Sequence, residues 1–274
     1  QTSSLFSTYL HPRLLQQWVG QHVVHGGVIL PGAALLEMCC SAGIRQEVQR
    51  GHSGDWDRVS GSALVVVEGF TINKPVAIEH DDSYRLNCVV EMDGSVCVEN
   101  AGGAADVHCE GSVQVLGADG GNAALEVRKT SSLSSQWVLG ECANCCIIDV
   151  DVAELYANCA SVGLQYGPLF RLIESMRVSA DGLFSMATLS LAAVKAERAQ
   201  EGYLLPPCLL DVMLQCSSPC VLALRAAEEL ESSSHVPYAI DRMDVCGALA
   251  KELFRGDTCT VAVRMLRTTN SMTV

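Results

Sequence analysis

Residues 32–45, GAALLEMCCSAGIR, read as a helix without a polar face, in which Glu37 is the only charge before Arg45. A surface helix keeps a polar side, so one that is apolar nearly all round has to be covered everywhere. Pro31 suits its first turn, where a missing N–H costs nothing. The next stretches of chain supply the cover. GSALVVVEGFTI (61–72), SYRLNCVVEMDGSVCVEN (83–100) and ADVHCEGSVQVL (105–116) are alternating or β-rich runs separated by turn residues, and Asp93-Gly94 marks a hairpin. Residues 5–21 are mixed, with Trp18 as a core anchor.

The plan then recurs. Residues 117–136, rich in Gly, Ser and Ala, read as a linker or long loop. A short amphipathic helix (151–163), two strands (170–179 and 183–191), a second apolar helix near 207–217 and two more strands (235–245 and 259–266) come after it. Pro219 should end or kink that second helix. Each half thus holds one buried helix and several antiparallel strands. That pattern describes a duplicated α+β unit divided into residues 1–136 and 137–274.

A chain of 274 residues with 49% apolar and 18% charged residues can bury a real core. Its net charge of −13 argues against nucleic acid and anionic membrane surfaces as partners. No apolar run reaches the roughly 18 residues of a membrane span. The 14 cysteines are scattered and many sit in apolar runs, so reduced thiols in a cytosol-like compartment are expected, with an organelle left open. Cys142-Ala-Asn-Cys145-Cys146 contains a CxxC, but its looser companion, Cys216 to Cys220, has the wrong spacing for zinc and no nearby histidine. The ends carry no terminal signatures, so the chain is expected to be part of a longer polypeptide.

Three stretches can carry chemistry. In QHVVHGGVILPG (21–32), His22 and His25 precede Gly26, Gly27 and Pro31. Glycines let backbone N–H groups approach a ligand, and a helix N-terminus adds positive partial charge. A neighbouring histidine could then remove a proton beside a carbonyl. The competing reading is a core histidine with glycines that permit tight packing. In PPCLLDVMLQ (206–215), Asp211 is the only charge and shares a face with Gln215, four residues on. Burial would raise its pKa and let it hold a proton to donate. An N-capping role suits it less, four residues inside the prolines. In GLQYGPLF (163–170), Gly167-Pro168 sets a turn beside the Tyr166 hydroxyl; the plainer reading is a turn with a packed aromatic. His52, His80 and His108 have no partner at close spacing.

Taken in order, these stretches resemble a known family. His22-x3-Gly26-x4-Pro31 is similar to the HxxxGxxxxP motif of polyketide synthase dehydratase domains and of the related domain in animal fatty acid synthase. Gly163-x2-Tyr166-Gly167-Pro168-x-Phe170 is similar to the family's GxxYGPxF, and Leu209-Leu210-Asp211-x3-Gln215 to its LLDxxxQ. His11-Pro12 and Cys109-Glu-Gly111 look like further landmarks. The resemblance implies a double hotdog, in which two curved antiparallel sheets each wrap a central helix. It implies loss of water from a 3-hydroxyacyl thioester, carried on the phosphopantetheine of an acyl carrier protein, to give a 2-enoyl thioester. His22 would be the base and Asp211 the acid. The Gly26 region would hold the thioester carbonyl, Tyr166 and Gln215 would position Asp211 or the hydroxyl, and Gly27, Pro31, Gly167 and Pro168 would belong to the substrate site. No metal or redox cofactor of its own is expected. Partners would be the carrier protein, neighbouring synthase domains and a second copy in a homodimer, in the cytoplasm.

Two positions depart from the pattern: Gln21 stands where the family usually has an acid, and Pro206-Pro207 where it often has His-Pro. A product-template or cyclase relative would keep both His22 and Asp211. An isomerase could lose the aspartate. A non-catalytic scaffold would need neither. A hotdog thioesterase fits worst, since Glu37 lies well inside its helix.

Overall fold

The computed structural model describes residues 3–11, 18–51, 55–78, 84–101, 106–117, 136–197, 202–227, 239–268 and 271–273. Most of the 117–136 stretch, His52, His80 and Pro12 lie outside them.

The strands of the first half are β1 (Ser4–Leu10), β2 (His22–Val24), β3 (Gly27–Leu30), β4 (Leu64–Ile72), β5 (Val76–Ile78), β6 (Tyr84–Val90), β7 (Ser95–Asn100) and β8 (Val107–Leu116). Those of the second half are β9 (Cys146–Asp149), β10 (Leu164–Tyr166), β11 (Ile173–Ser179), β12 (Phe184–Ser190), β13 (Ala239–Cys246) and β14 (Thr258–Arg264), with a small pair at Leu266–Thr268 and Ser271–Thr273. The helices that matter for the site are α1 (Gly32–Gln49), α2 (Val152–Ser161), α3 (Pro207–Gln215) and α4 (Ser218–Ala227).

Helix α1 is the axis of the first half. Leu35, Leu36, Cys39 and Ile44 are fully buried, and the helix packs on β4, β6, β7 and β8. Its contact with β8 is close: a Cβ on Gly43 would lie 2.8 Å from a Val113 methyl. The β6–β7 hairpin turns at Asp93-Gly94 as expected, with Gly94 at φ +90° and Asp93 Oδ1 accepting from Ser95 N–H at 2.9 Å. In β12 burial alternates residue by residue, the signature of a sheet with one face on the core. All 14 cysteines are free thiols.

The halves interlock. Six strands run in the order β1-β6-β7-β8-β4-β13, so the sheet around α1 is completed by a strand from the second half. A smaller sheet, β10-β2-β3-β5, takes its edge strand β10 from the second half too. The remaining sheet is β14-β12-β11-β9, entirely from the second half. Helix α3 packs against α1, so the two central helices meet at the junction. Two pairings, β13 with β4 and β10 with β2, therefore cross the boundary at 136/137.

Several short elements carry no sequence signal. β2, β3, β5 and β10 are only three or four residues long, too short for a period-2 pattern to stand out. The second apolar helix is also shorter than expected: α3 stops at Gln215, and Pro219 sits in the first turn of the separate helix α4. Proline is tolerated there because its missing N–H is unpaired anyway.

Candidate active site

His22 opens β2 and is 5% exposed. Its Nδ1 lies 2.8 Å from the carbonyl oxygen of Ile29, across the β2–β3 hairpin. A carbonyl only accepts, so Nδ1 carries the proton, and in the neutral ring Nε2 is left with its lone pair. That is the tautomer a base requires. Three aromatic contacts fix the ring plane and the floor beneath it. The Tyr166 ring is 5.6 Å from His22 and the Phe170 ring 5.3 Å, while Phe170 rests on Trp18 at 6.4 Å.

Asp211 approaches from the other half, on α3. Its side chain keeps some accessible surface but is densely surrounded by protein. Burial pushes its carboxyl above the usual range, while the nearby His22 and the Gln215 hydrogen bond pull the other way. Gln215 Nε2 donates to Asp211 Oδ2 at 2.9 Å and to the Phe170 carbonyl at 3.2 Å. The i,i+4 spacing read from the sequence is thus a real contact. Tyr166 stands directly opposite His22 in the β10–β2 register. Its hydroxyl is held in the protonated, donating form by burial and by the charge of Asp211. His22, Tyr166, Gln215 and Asp211 therefore converge where β2, β10 and α3 meet.

The glycines of GLQYGPLF face the residues that flank β2, Gln21 and His25, which leave no room for a side chain. A Cβ on Gly167 would lie 2.7 Å from Gln21 Cβ, and one on Gly163, at φ +89°, would run into the His25 ring. Gly167 N–H donates to the Gln21 carbonyl at 2.7 Å, and His25 N–H to the Gly163 carbonyl at 2.8 Å. Pro168 is exposed and starts the short 3-10 turn Pro168–Phe170.

Gly26 and Gly27 do not lie at the start of the buried helix. They are exposed at the tip of the β2–β3 hairpin, where His25 at φ +48° and Gly26 at φ +81° make a two-residue turn. Left-handed backbone at both positions is what such a hairpin demands, which explains Gly26. The helix begins later, at Gly32, with Pro31 as an N-cap that has no side-chain hydrogen bond to offer. Strand rise of about 3.3 Å per residue places the tip well beyond His22, whereas α1 begins at Gly32, three residues after Ile29, whose carbonyl His22 holds.

Sequence reasoning missed two contributors. Gln21 Oε1 accepts from Leu169 N–H at 2.8 Å, a tie between residues 148 apart. Glu37, 5% exposed, accepts from Ser41 Oγ at 2.6 Å and from Leu204 N–H at 3.0 Å, just ahead of α3. Gln21 shows in the sequence only as a departure from the family pattern, and Glu37 only as a lone charge. Among the described residues no three His, Cys, Asp or Glu side chains are grouped to hold a metal ion, and no helix is long and apolar enough to cross a membrane.

Solved structures similar to this chain share its whole architecture at low identity. The dehydratase domain from the CurF module of curacin polyketide synthase superposes with a TM-score of 0.68 at 17% identity, covering 99% of this chain and 86% of that one. The dehydratase domain from the CurK module gives 0.68 at 19%, covering 99% and 84%. The fold is a double hotdog, of class α+β. Two family profiles match the sequence: "Polyketide synthase dehydratase domain" over residues 1–102 and "Polyketide synthase dehydratase N-terminal domain" over residues 145–274. Full-length relatives include polyketide synthase PksM of Bacillus subtilis, 25% identical over 83% of this chain, and mycoketide-CoA synthase of Mycobacterium tuberculosis, 28% identical over 82%. The chain spans only 5% of either relative's length. It belongs to the polyketide synthase dehydratase domains, and its class of activity is that of a dehydratase, a lyase.

Proposed function

We propose that this domain removes water from a 3-hydroxyacyl thioester carried on the phosphopantetheine arm of an acyl carrier protein. The observation that carries the reading is that His22, its Nδ1 committed to the Ile29 carbonyl, and the densely surrounded carboxyl of Asp211, near enough to feel the His22 charge, come from opposite halves to one junction. His22 Nε2 takes the α-proton, and the C–H electrons form the Cα–Cβ double bond. Asp211 gives its proton to the β-hydroxyl, which departs as water. Tyr166 and Gln215 orient the acid and the hydroxyl. The thioester carbonyl is best received by the first-turn N–H groups of α1 at Gly32 and Ala33, which have no intrahelical acceptor and face the positive end of the helix dipole. Gly26 and Gly27 then shape the hairpin rather than hold the carbonyl. No cofactor of the protein's own enters these steps.

The short span relative to its relatives supports neighbouring synthase domains as partners; a carrier protein as the source of substrate and a cytoplasmic setting rest on the family resemblance. A homodimer rests on the family resemblance.

The test is turnover of a 3-hydroxyacyl thioester, on carrier protein and on a small pantetheine mimic, read by mass spectrometry. Loss of one water is expected in the wild type, with His22→Ala and Asp211→Asn lowering the rate by at least about a hundredfold. Activity should be lost on the alkaline side as Asp211 gives up its proton. If neither variant slows the reaction, the assignment fails. Processing of a 2-enoyl thioester or a poly-β-keto chain without dehydration would point to an isomerase or cyclase.

A further inference from the structure

We propose that Gln21 is a positioning residue that sets the separation of His22 and Asp211 by clasping the turn between them. This deepens the dehydration reading and rests on it. The connection can be followed bond by bond. Gln21 is the residue before His22. Its carbonyl accepts from Gly167 N–H at 2.7 Å, and its side-chain Oε1 from Leu169 N–H at 2.8 Å. The Pro168–Phe170 turn is therefore gripped twice by one residue of the base-bearing segment. At its far end the Phe170 carbonyl accepts from Gln215 Nε2 at 3.2 Å, and the same Nε2 donates to Asp211 Oδ2 at 2.9 Å. One turn thus joins the strand of the base to the side chain of the acid. The turn is also packed against the base itself, since the Phe170 ring lies 5.3 Å from His22.

There is little slack in this clasp. Gly167 is required because any Cβ would run into Gln21. Phe170 and Leu169 are buried, so the turn cannot drift outward without opening the core. Loss of the Leu169 bond would leave a buried N–H unpaired and release the turn at its centre. Misplacement of a reacting group by about 1 Å can cost about a hundredfold in rate.

The experiment compares wild type, Gln21→Met and Gln21→Glu. Methionine keeps the length and bulk and removes the acceptor; glutamate keeps an acceptor oxygen. Amide exchange at Leu169, the side-chain resonances of His22 and Gln215, and kcat and KM on a small pantetheine substrate are measured for each. The expectation for Gln21→Met is faster Leu169 exchange, shifted His22 and Gln215 resonances, and kcat down roughly tenfold or more with KM little changed. Gln21→Glu should restore slow Leu169 exchange and the Gln215 resonances. Unchanged Leu169 exchange in Gln21→Met overturns the proposal. So does a fall in kcat that only tracks the fraction unfolded. If the wild type dehydrates nothing while the exchange and resonances move as expected, the clasp stands and the dehydration reading fails.

Discussion

Asp211 and Glu37 are both lone carboxyls in apolar helices, and the structure gives them different work. Asp211 lies near enough to the base to feel its charge. Glu37 meets a backbone N–H, that of Leu204, 167 residues away. Asp211 was readable because its partner Gln215 lies one helical turn along; the partner of Glu37 belongs to another half, and no local pattern announces it. Glu37 should make stability pH-dependent. Burial pushes its carboxyl from 4.5 to about 7 against the hydrogen bonds of Ser41 and Leu204 and the charge of Arg45. The folded state therefore binds the proton more tightly than the unfolded chain. That stabilisation is complete below about pH 4.5 and is lost as pH rises through about 7. By linkage it amounts to about 3 kcal/mol. Glu37→Gln keeps an acceptor for Leu204 and cannot titrate. Denaturant midpoints at pH 5 and pH 8 should show the variant gaining on the wild type at the higher pH, and parallel pH curves would refute the assignment.

At the scale of elements, the long pieces were legible and the short ones were not. The run of apolar residues from Gly32 identified α1, and Asp93-Gly94 identified a hairpin, because each is a local conformational preference. The four-stranded sheet β10-β2-β3-β5 is built from strands of three or four residues, and two of its three pairings, β10 with β2 and β3 with β5, join strands far apart in sequence. The need for glycine at 167 shows only once Gln21 is packed against it. Gly167 has an ordinary backbone, at φ −83°, so its need for no side chain is a matter of space alone. Gly167→Ala should then lose about 1–3 kcal/mol by overpacking against Gln21, with kcat falling as the turn is pushed away from His22. Thermal unfolding and turnover of one preparation measure both. A variant as stable and active as the wild type would mean that Gln21 yields freely.

The whole molecule is one interlocked body rather than two hotdogs side by side. β4 pairs with β8 on one edge and with β13, from the second half, on the other. A chain ended before Ala239 should leave β4 as a long, apolar, unpaired edge, Leu64–Ile72, and aggregate. The intact chain should unfold in one transition, with the environments of Trp18 and Trp137 changing together; two separated transitions would contradict the interlock. What the sequence determined by itself was local and periodic: a helix apolar on all sides, the strands alternating around it, the repetition of that plan, and an ordered trio of motifs whose residues name the base and the acid. Only the tertiary structure decided which half completes which sheet, and that Gln21 and Glu37 each hold a segment of the other half. Those outcomes depend on contacts between residues more than a hundred positions apart, and a chain records such contacts in its packing, not in the spacing of its letters.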